Sequence, residues 1–317
     1  MTTTGLILCV GTTPALQRAM IFDGLAINGV NRAAEVIEAA AGKSVNVAKV
    51  LAALGQRVLA TGFVGGQRGS ILREFLDQGG IAHDFISVAA PTRLCVTLID
   101  RASHTHTELV EESQAVAAAD YSALLDKLRS LIPRCGMLVC SGTLPPNAPR
   151  DFYARCIGIA SAGNVRTILD AVGLPLLEAL SAGPTVIKPN RAELGRTLSL
   201  GTESDDDLLA AMRRATELGA QSIVVTLGSE GAIAFDGTDF YRIRIPRLDV
   251  INTIGSGDAF AAGLASALVQ DQPLVEAARV GAACGCANAL TYLAGQVHVE
   301  DVAGLLPRVQ ATLIAGA

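Results

Sequence analysis

The run Asn252-Thr253-Ile254-Gly255-Ser256-Gly257-Asp258-Ala259-Phe260 carries the residue types that phosphoryl transfer to a hydroxyl needs. Gly255 and Gly257 allow a tight turn and let backbone N–H groups approach a ligand closely. The apolar, Ala-rich segment from Ala259 to Val269 reads as a helix, whose unpaired first-turn donors and dipole favour an anion at that turn. Asp258 falls in the first turn. A carboxylate there would take a proton from a hydroxyl while the Gly255-Ser256-Gly257 cradle holds the phosphoryl group under attack. An N-capping Asp after a glycine turn explains the same residues without chemistry, so the motif is read together with its neighbours.

Four other loops have comparable content. Ala41-Gly42-Lys43-Ser44-Val45-Asn46 leads into a helix that stops at Leu54-Gly55. A lysine at a helix N-terminus opposes the dipole unless an anion binds there too. Gly-Lys-Ser is not a Walker A loop here, because that motif needs a glycine at position 37, which is Ile37. Lys188-Pro189-Asn190-Arg191-Ala192-Glu193 closes the strand Thr185–Ile187, and Asn190 with Glu193 has the spacing of a capping box. Thr226-Leu227-Gly228-Ser229-Glu230-Gly231 follows the strand Ile223–Thr226, and Ser141-Gly142-Thr143-Leu144-Pro145 follows Met137–Cys140. Each loop sits at the C-terminal end of a short apolar run, where open α/β sheets bind ligands.

The elements that must position these loops follow from the pattern. Leu6–Val10, Val58–Val64, Ile81–Val88, Met137–Cys140, Val165–Leu169, Thr185–Ile187 and Ile223–Thr226 read as buried strands, with a further strand ending near Val250 and Ile251. Helices are expected over Ile71–Asp77, Tyr121–Ile132, Phe152–Ala160, Leu174–Leu180, Asp205–Leu218, Ala259–Val269 and Leu274–Leu293. Thr12–Gln17 reads as a loop. Met20–Phe22 and Val30–Ile37 read as short strands around an Asn28-Gly29 turn, Arg93–Ile99 with Thr105–Val110 as a ribbon, and Ala232–Ile245 as a hairpin. The expected fold is α/β: one doubly wound, mostly parallel sheet flanked by helices, with a small β-sheet apart from it.

Composition excludes several classes. Half of the 317 residues are apolar and 17% are charged, so the chain is not a disordered tail. A net charge of −5 and the lack of any Lys/Arg run argue against a nucleic-acid surface, so an anionic substrate needs a local basic pocket. Seven scattered cysteines, none in a CxxC, read as reduced, packed thiols; Cys284 and Cys286 fall in an expected buried helix. Met1–Thr4 brings no basic region, and Leu6–Val10 is too short for a signal core. Val280–Val299 contains three glycines, Asn288 and His298, and reads as packed helix and exit, not a membrane span. A cytoplasmic protein is expected. His104 and His106 would share a face if extended, but no third metal ligand accompanies them.

Taken together, the Gly42-Lys43, Lys188–Glu193, Thr226–Gly231 and Gly255–Asp258 loops resemble the ribokinase-like (PfkB) sugar kinase family in order and spacing over nearly the whole chain. Thr13-Pro14-Ala15, Pro91-Thr92-Arg93, Ser141–Pro145 and Thr107-Glu108-Leu109 resemble its phosphosugar branch, the 1-phosphofructokinases and tagatose-6-phosphate kinases. The run from Ala40 to Leu51 is most similar to 1-phosphofructokinase. The resemblance implies a single kinase domain over 1–317, with a lid formed by about 18–38 and 92–111, and ATP, Mg²⁺ and in some members a monovalent cation as cofactors. It implies that Asp258 is the base and Gly255, Ser256 and Gly257 the anion hole. Gln17, Gly42, Lys43, Asn46, Arg93 and Ser141 would meet the sugar or sugar phosphate. Lys188, Asn190, Glu193, Thr226, Gly228, Ser229, Gly231 and Asn288 would meet the nucleotide, with Asn190 and Glu193 organising Mg²⁺ through water. Lids of this family often pair in a homodimer.

The departures are specific. The branch reads Asn-Pro-Ala-x-Asp at its first loop, and here Gln17 replaces the sugar-binding Asp. Ser44 replaces a glycine, and Cys95 and Thr97 stand where the branch has Asn and Lys. The leading expectation is phosphoryl transfer to a primary hydroxyl of a phosphorylated ketohexose, with a hydroxyl pattern not quite that of fructose 1-phosphate. The alternatives are a kinase of an unphosphorylated sugar or nucleoside, which Gln17 and Thr97 favour, and a sugar sensor without turnover, against which Asp258, Asn190 and Glu193 argue.

Overall fold

A computed structural model describes residues 5–314, so the Met1–Thr4 reading lies outside the described residues. The first half of the chain runs β1 (Leu6–Gly11), β2 (Ala15–Phe22), β3 (Glu35–Ala41), α1 (Lys43–Ala53), β4 (Val58–Val64), α2 (Gly66–Gln78), β5 (Ile86–Ser87), β6 (Arg93–Asp100), β7 (Thr105–Val110), α3 (Ala118–Leu131) and β8 (Cys135–Ser141). It continues through α4 (Phe152–Ala162), β9 (Arg166–Asp170), α5 (Leu174–Leu180), β10 (Val186–Ile187), α6 (Arg191–Leu198), α7 (Asp205–Glu217) and β11 (Ser222–Thr226). The last part holds β12 (Ala232–Phe235), β13 (Phe240–Arg244), α8 (Ser256–Leu268), α9 (Leu274–Ala289), α10 (Val299–Leu305) and β14 (Gln310–Leu313).

Ten strands form one sheet in the order β14-β13-β12-β11-β10-β9-β8-β1-β4-β5. From β11 to β5 every pair is parallel, and β12, β13 and β14 add an antiparallel edge. The parallel strands are apolar throughout because helices cover both faces. Successive side chains of β1 enter different cores. Ile7 and Cys9 pack with α1, α8 and α9, whereas Leu8 and Val10 pack with α3 and α4. The doubly wound expectation is met.

The smaller sheet has the order β3-β2-β6-β7, with β2 and β6 parallel and both outer pairs antiparallel. Register assigns its faces. Gln17, Arg93, Cys95, Thr97, His106 and Glu108 share one face; Arg18, Val36 and Leu109 share the other.

Several boundaries differ from expectation. Ala15–Gln17 is strand, not loop, because the chain after Pro14 pairs at once with β3 and β6. Residues 30–34 are irregular and β3 starts only at Glu35. Ile81–Val88 contributes two strand residues, since an edge position offers one partner, β4, along a short stretch. No strand ends at Val250 and Ile251: β13 stops at Arg244 and Pro246 follows, a residue that cannot donate to a ladder. His104 lies in a turn with φ 53°, so it does not share a strand face with His106. α9 ends at Ala289, and α10 and β14 were not anticipated.

Small residues bring α8 and α9 into close contact, which fixes the helix that carries Asp258. A Cβ on Gly263 would lie 2.7 Å from the Val280 carbonyl and 2.8 Å from Cys284 Sγ and Gly281 Cα. Gly263→Ala should therefore cost about 1–3 kcal/mol through overpacking, read as a lower urea midpoint at unchanged slope. Gly158→Ala in α4, where a Cβ meets nothing within 4 Å, is the control and should not destabilise.

Candidate active site

The loops singled out in the sequence converge on one edge of the large sheet. Beyond the C-terminal ends of β10 and β11 lies a cavity of about 830 Å³. Asn190, Thr226, Gly228, Ser229 and Gly231 line one side of it, Ser256 and Gly257 its floor, and Phe260, Ala282 and Ala289 an apolar wall. Gly228 has φ 60° and Gly231 φ 90°, so the loop that rims the cavity depends on backbone shapes that side chains disfavour.

At the floor, Gly255 sits at the helix N-cap with φ 84°. It touches the loop after α9 so closely that a Cβ would lie 2.7 Å from that of Ala294. The Ser256 N–H turns back to the Thr253 carbonyl at 3.1 Å, whereas no carbonyl takes those of Gly257 and Asp258. The Gly255 N–H has no backbone partner either, so among the described residues the donors of this turn open to an anion are those of Gly255, Gly257 and Asp258. Asn288, expected at the nucleotide, does not line the cavity. It is fully buried and donates to the Ile254 carbonyl at 2.9 Å while accepting from Gly295 N–H at 2.8 Å, which ties the turn before Asp258 to that loop.

Asp258 is 6% exposed and accepts a hydrogen bond from Asn46 Nδ2 at 2.8 Å. Burial pushes its carboxyl up to about 6; the Lys43 charge opposes that shift, and the neighbouring Asp170 reinforces it. Asp170, at the end of β9, is a site residue that the sequence reading passed over. It lies 3.1 Å from Lys43 Nζ and 3.2 Å from Lys188 Nζ. Burial alone would raise its pKa, but the Lys188 and Lys43 charges outweigh it and hold Asp170 below the ordinary carboxylate range. Asp170 in turn raises the pKa of Lys43 against the opposing effect of burial. The signal was a lone carboxylate closing the apolar run Thr167-Ile168-Leu169.

Asn190 and Glu193 form the capping box that their spacing predicts: Asn190 Oδ1 accepts from Glu193 N–H, and Glu193 Oε2 from Asn190 N–H, both at 2.8 Å. Glu193 is near enough for its charge to act on Lys43.

The smaller sheet reaches the turn before Asp258. The face that carries His106 is latched to that turn through His106 Nε2 and Thr253 Oγ1 at 3.0 Å. Arg93 Nε donates to the Thr13 carbonyl at 3.3 Å. Gln17 Nε2 donates to Thr97 Oγ1 at 3.1 Å, so two of the four departures from the phosphosugar pattern contact each other. Among the described residues, three buried polar atoms of this region have no protein partner, Gln17 Oε1, Asn46 Oδ1 and Ser141 Oγ, whereas Asp170 Oδ2 meets only the Lys188 ammonium.

Residues 5–299 match the model of the pfkB family of carbohydrate kinases. The chain belongs to that family. It is similar to Escherichia coli phosphofructokinase-2 in a complex with potassium (25% identity, TM-score 0.89, covering 96% of this chain and 98% of that one). The same enzyme in complex with fructose-6-phosphate gives 25% identity and a TM-score of 0.87 over the same shares. A Thermotoga maritima protein described as a possible 1-phosphofructokinase has 23% identity and a TM-score of 0.90 over 98% of this chain and 99% of that one. Arabidopsis thaliana ribokinase, at 22% identity and a TM-score of 0.76 over 95% and 98%, shares the fold. Among the described residues of this kinase, no helix is long and apolar enough to cross a membrane.

The raised pKa of Asp258 makes a stability prediction. Its folded value near 6 exceeds the ordinary 3.8, so the folded state holds the proton more tightly, and stability falls as pH rises between those values. Asp258→Asn escapes that cost. Its melting temperature relative to the parent should rise from pH 4 to pH 6 and level off above, a relief of up to about 3 kcal/mol.

Proposed function

We propose that the kinase transfers the γ-phosphoryl group of ATP to a primary hydroxyl of a phosphorylated ketohexose. The observation that carries this reading is the company of the buried Asp258. It follows Gly257, which lines the cavity and has a free N–H, and its carboxylate binds Asn46, whose Oδ1 is one of the unpartnered polar atoms suited to a sugar. Each buried unpaired polar atom costs about 1–3 kcal/mol, and sugar hydroxyls are the ligand that satisfies such a set. The small sheet is the lid, and the whole chain acts as one kinase domain.

The cavity fits a nucleotide. It is apolar on the Phe260 and Ala282 wall, bordered by the backbone of Gly228 and Gly231, and ends at the N-terminus of α8. Thr226 and Ser229 lie on its rim. Lys188 stands beside Gly257, 3.6 Å from where a Cβ would be, in position to meet a phosphate. Mg²⁺ would be held through water by Glu193 and Asn190, and would neutralise charge on the transferring group. The E. coli potassium complex supports a monovalent cation as a further cofactor.

Asp258 takes the proton of the acceptor hydroxyl. Asn46 fixes the carboxylate through one oxygen, leaving the other to the substrate, and a pKa near 6 keeps it ionised at neutral pH while strengthening it as a base. The Gly257 and Asp258 N–H groups meet the charge that develops on the phosphoryl oxygens. Gln17 Oε1, Asn46 Oδ1 and Ser141 Oγ take sugar hydroxyls. Arg93, beside Gly42 and the Thr13-Pro14 loop, takes the substrate's own phosphate. Lys43 is paired with Asp170, so we place its charge nearer to the transferring group than to that phosphate. The outer face of the lid exposes Val36 and Leu109, which supports a second copy of the chain as its partner.

Asp258→Asn should cut kcat by about 10²–10⁴ with nucleotide binding retained, and the acid limb of the parent's pH–rate profile should lie near pH 6. Coupled ADP release against fructose 1-phosphate, fructose 6-phosphate, tagatose 6-phosphate and free hexoses measures both; near-parental turnover removes Asp258 from the mechanism. Arg93→Ala should raise KM for the sugar phosphate at least tenfold more than KM for ATP, about 1.4 kcal/mol of lost binding. Equal changes in both constants would exclude Arg93 as a phosphate ligand.

A further inference from the structure

Lys49 occupies the outer part of α1, two turns from the Gly42-Lys43 loop, and nothing in the preceding mechanism uses it. Its ammonium donates to two backbone carbonyls from distant parts of the chain: Ala40 at 3.1 Å, at the end of β3, and Ala294 at 2.8 Å, in the loop after α9. Hydrogen bonds from an ionised donor are about twice as strong as neutral ones. The second carbonyl belongs to a loop with unusual neighbours. Ala294 backs Gly255, where a Cβ would approach the Ala294 Cα at 2.8 Å. Gly295 backs Asn46, where its own Cβ would lie 2.6 Å from the Asn46 Cα. Gly295, with φ 68°, also donates to Asn288, the residue that grips the catalytic turn at Ile254. One loop therefore supports both the turn that precedes Asp258 and the asparagine that orients its carboxylate.

We propose that Lys49 is a positioning residue for phosphoryl transfer: its ammonium locks the Ala294-Gly295 loop against Gly255 and Asn46, and places a positive charge within reach of Asp258. The inference rests on the reading of Asp258 as the base. Burial lowers the pKa of Lys49 to about 8, and the Asp258 charge opposes that shift; Asp258 is the titratable neighbour whose field acts on it. The influence is reciprocal, because the interaction of two charges belongs to both. A charged Lys49 favours the ionised base, and loss of its proton above about pH 8 weakens the lock.

The test compares the parent with Lys49→Met, which keeps the length and apolar stem, with Lys49→Arg, which keeps the charge, and with Lys49→Gln in case the methionine variant does not fold. Two measurements are made on each: kcat and both KM values across pH 5 to 10 with the best sugar substrate, and a ¹³C titration of the Asp258 carboxyl, assigned with Asp258→Asn. The second needs no turnover. The neutral variants should lose about 10- to 100-fold in kcat with little change in KM for ATP, move the acid limb and the Asp258 carboxyl titration to higher pH, and lack the fall in rate above pH 8. Lys49→Arg should restore the acid limb and carry the alkaline fall to higher pH. An Asp258 titration unmoved by Lys49→Met or Lys49→Gln overturns the proposal, as does an arginine variant no better than methionine. If Asp258→Asn retains parental turnover, the reading of the base fails instead, and the carboxyl titration still decides whether Lys49 acts on Asp258.

Discussion

Two buried carboxylates held in one electrostatic cluster are the constraint around which this kinase is organised. Asp258 and Asp170 are 6% and 1% exposed and each raises the energy of the other's charged form. Unit charges a few ångströms apart interact by several kcal/mol where water is excluded, so two anions persist together only with cations between them. Lys43 and Lys188 supply that charge, the first from the N-terminus of α1 and the second from the loop after β10. The split is unequal. Asp170 touches both ammonium groups and stays strongly ionised, whereas Asp258 touches only the neutral amide of Asn46 and keeps a higher proton affinity. An acid that is hard to protonate and a neighbouring base that is easier to protonate arise from the same four residues.

This arrangement draws on nearly every part of the chain. β1, β8, β9, β10 and β11 run parallel, so their C-terminal ends deliver Thr13, Ser141, Asp170, Lys188 and Thr226 to one edge. The N-termini of α1 and α8 point to that edge and bring Lys43 and Asp258. The β2–β3 half of the small sheet leaves the large one after β1 and returns at α1, next to the site, and the β6–β7 half joins it between β5 and α3. The His106–Thr253 contact then joins its far strand to the turn before Gly255. A residue bound under the small sheet and one bound in the cavity would both press on the same short turn.

Small side chains make such crowding compatible with packing. α8 is buried along its length and meets α9 through Gly263, Gly281 and Ala-rich surfaces. Backbones that approach this closely transmit displacement with little slack. The same applies at Gly255 and Gly295, where the turn and its supporting loop touch without side chains between them. Placement of Asp258 is therefore a property of α1, α8, α9 and the loop after α9 together.

Much of the fold could be read from single stretches. Apolar runs of three to seven residues closed by Gly, Ser, Asp or Lys marked the buried strands, and Asn190 with Glu193 announced a capping box that formed as spaced. These features are local, because burial on both faces and hydrogen bonds three residues apart leave their mark on consecutive residues. The Gly255–Asp258 turn and its helix were legible for the same reason. What the sequence could not determine were relations between residues far apart in the chain. That Lys43 pairs with Asp170, that Gln17 contacts Thr97, that Asn288 braces a turn and does not line the cavity, and that Ala15–Gln17 is strand all depend on which segments the sheets bring side by side. Residue types supplied the chemistry; tertiary structure decided which charges share a field, because electrostatic and hydrogen-bond energies depend on distances of a few ångströms, which sequence separation does not encode.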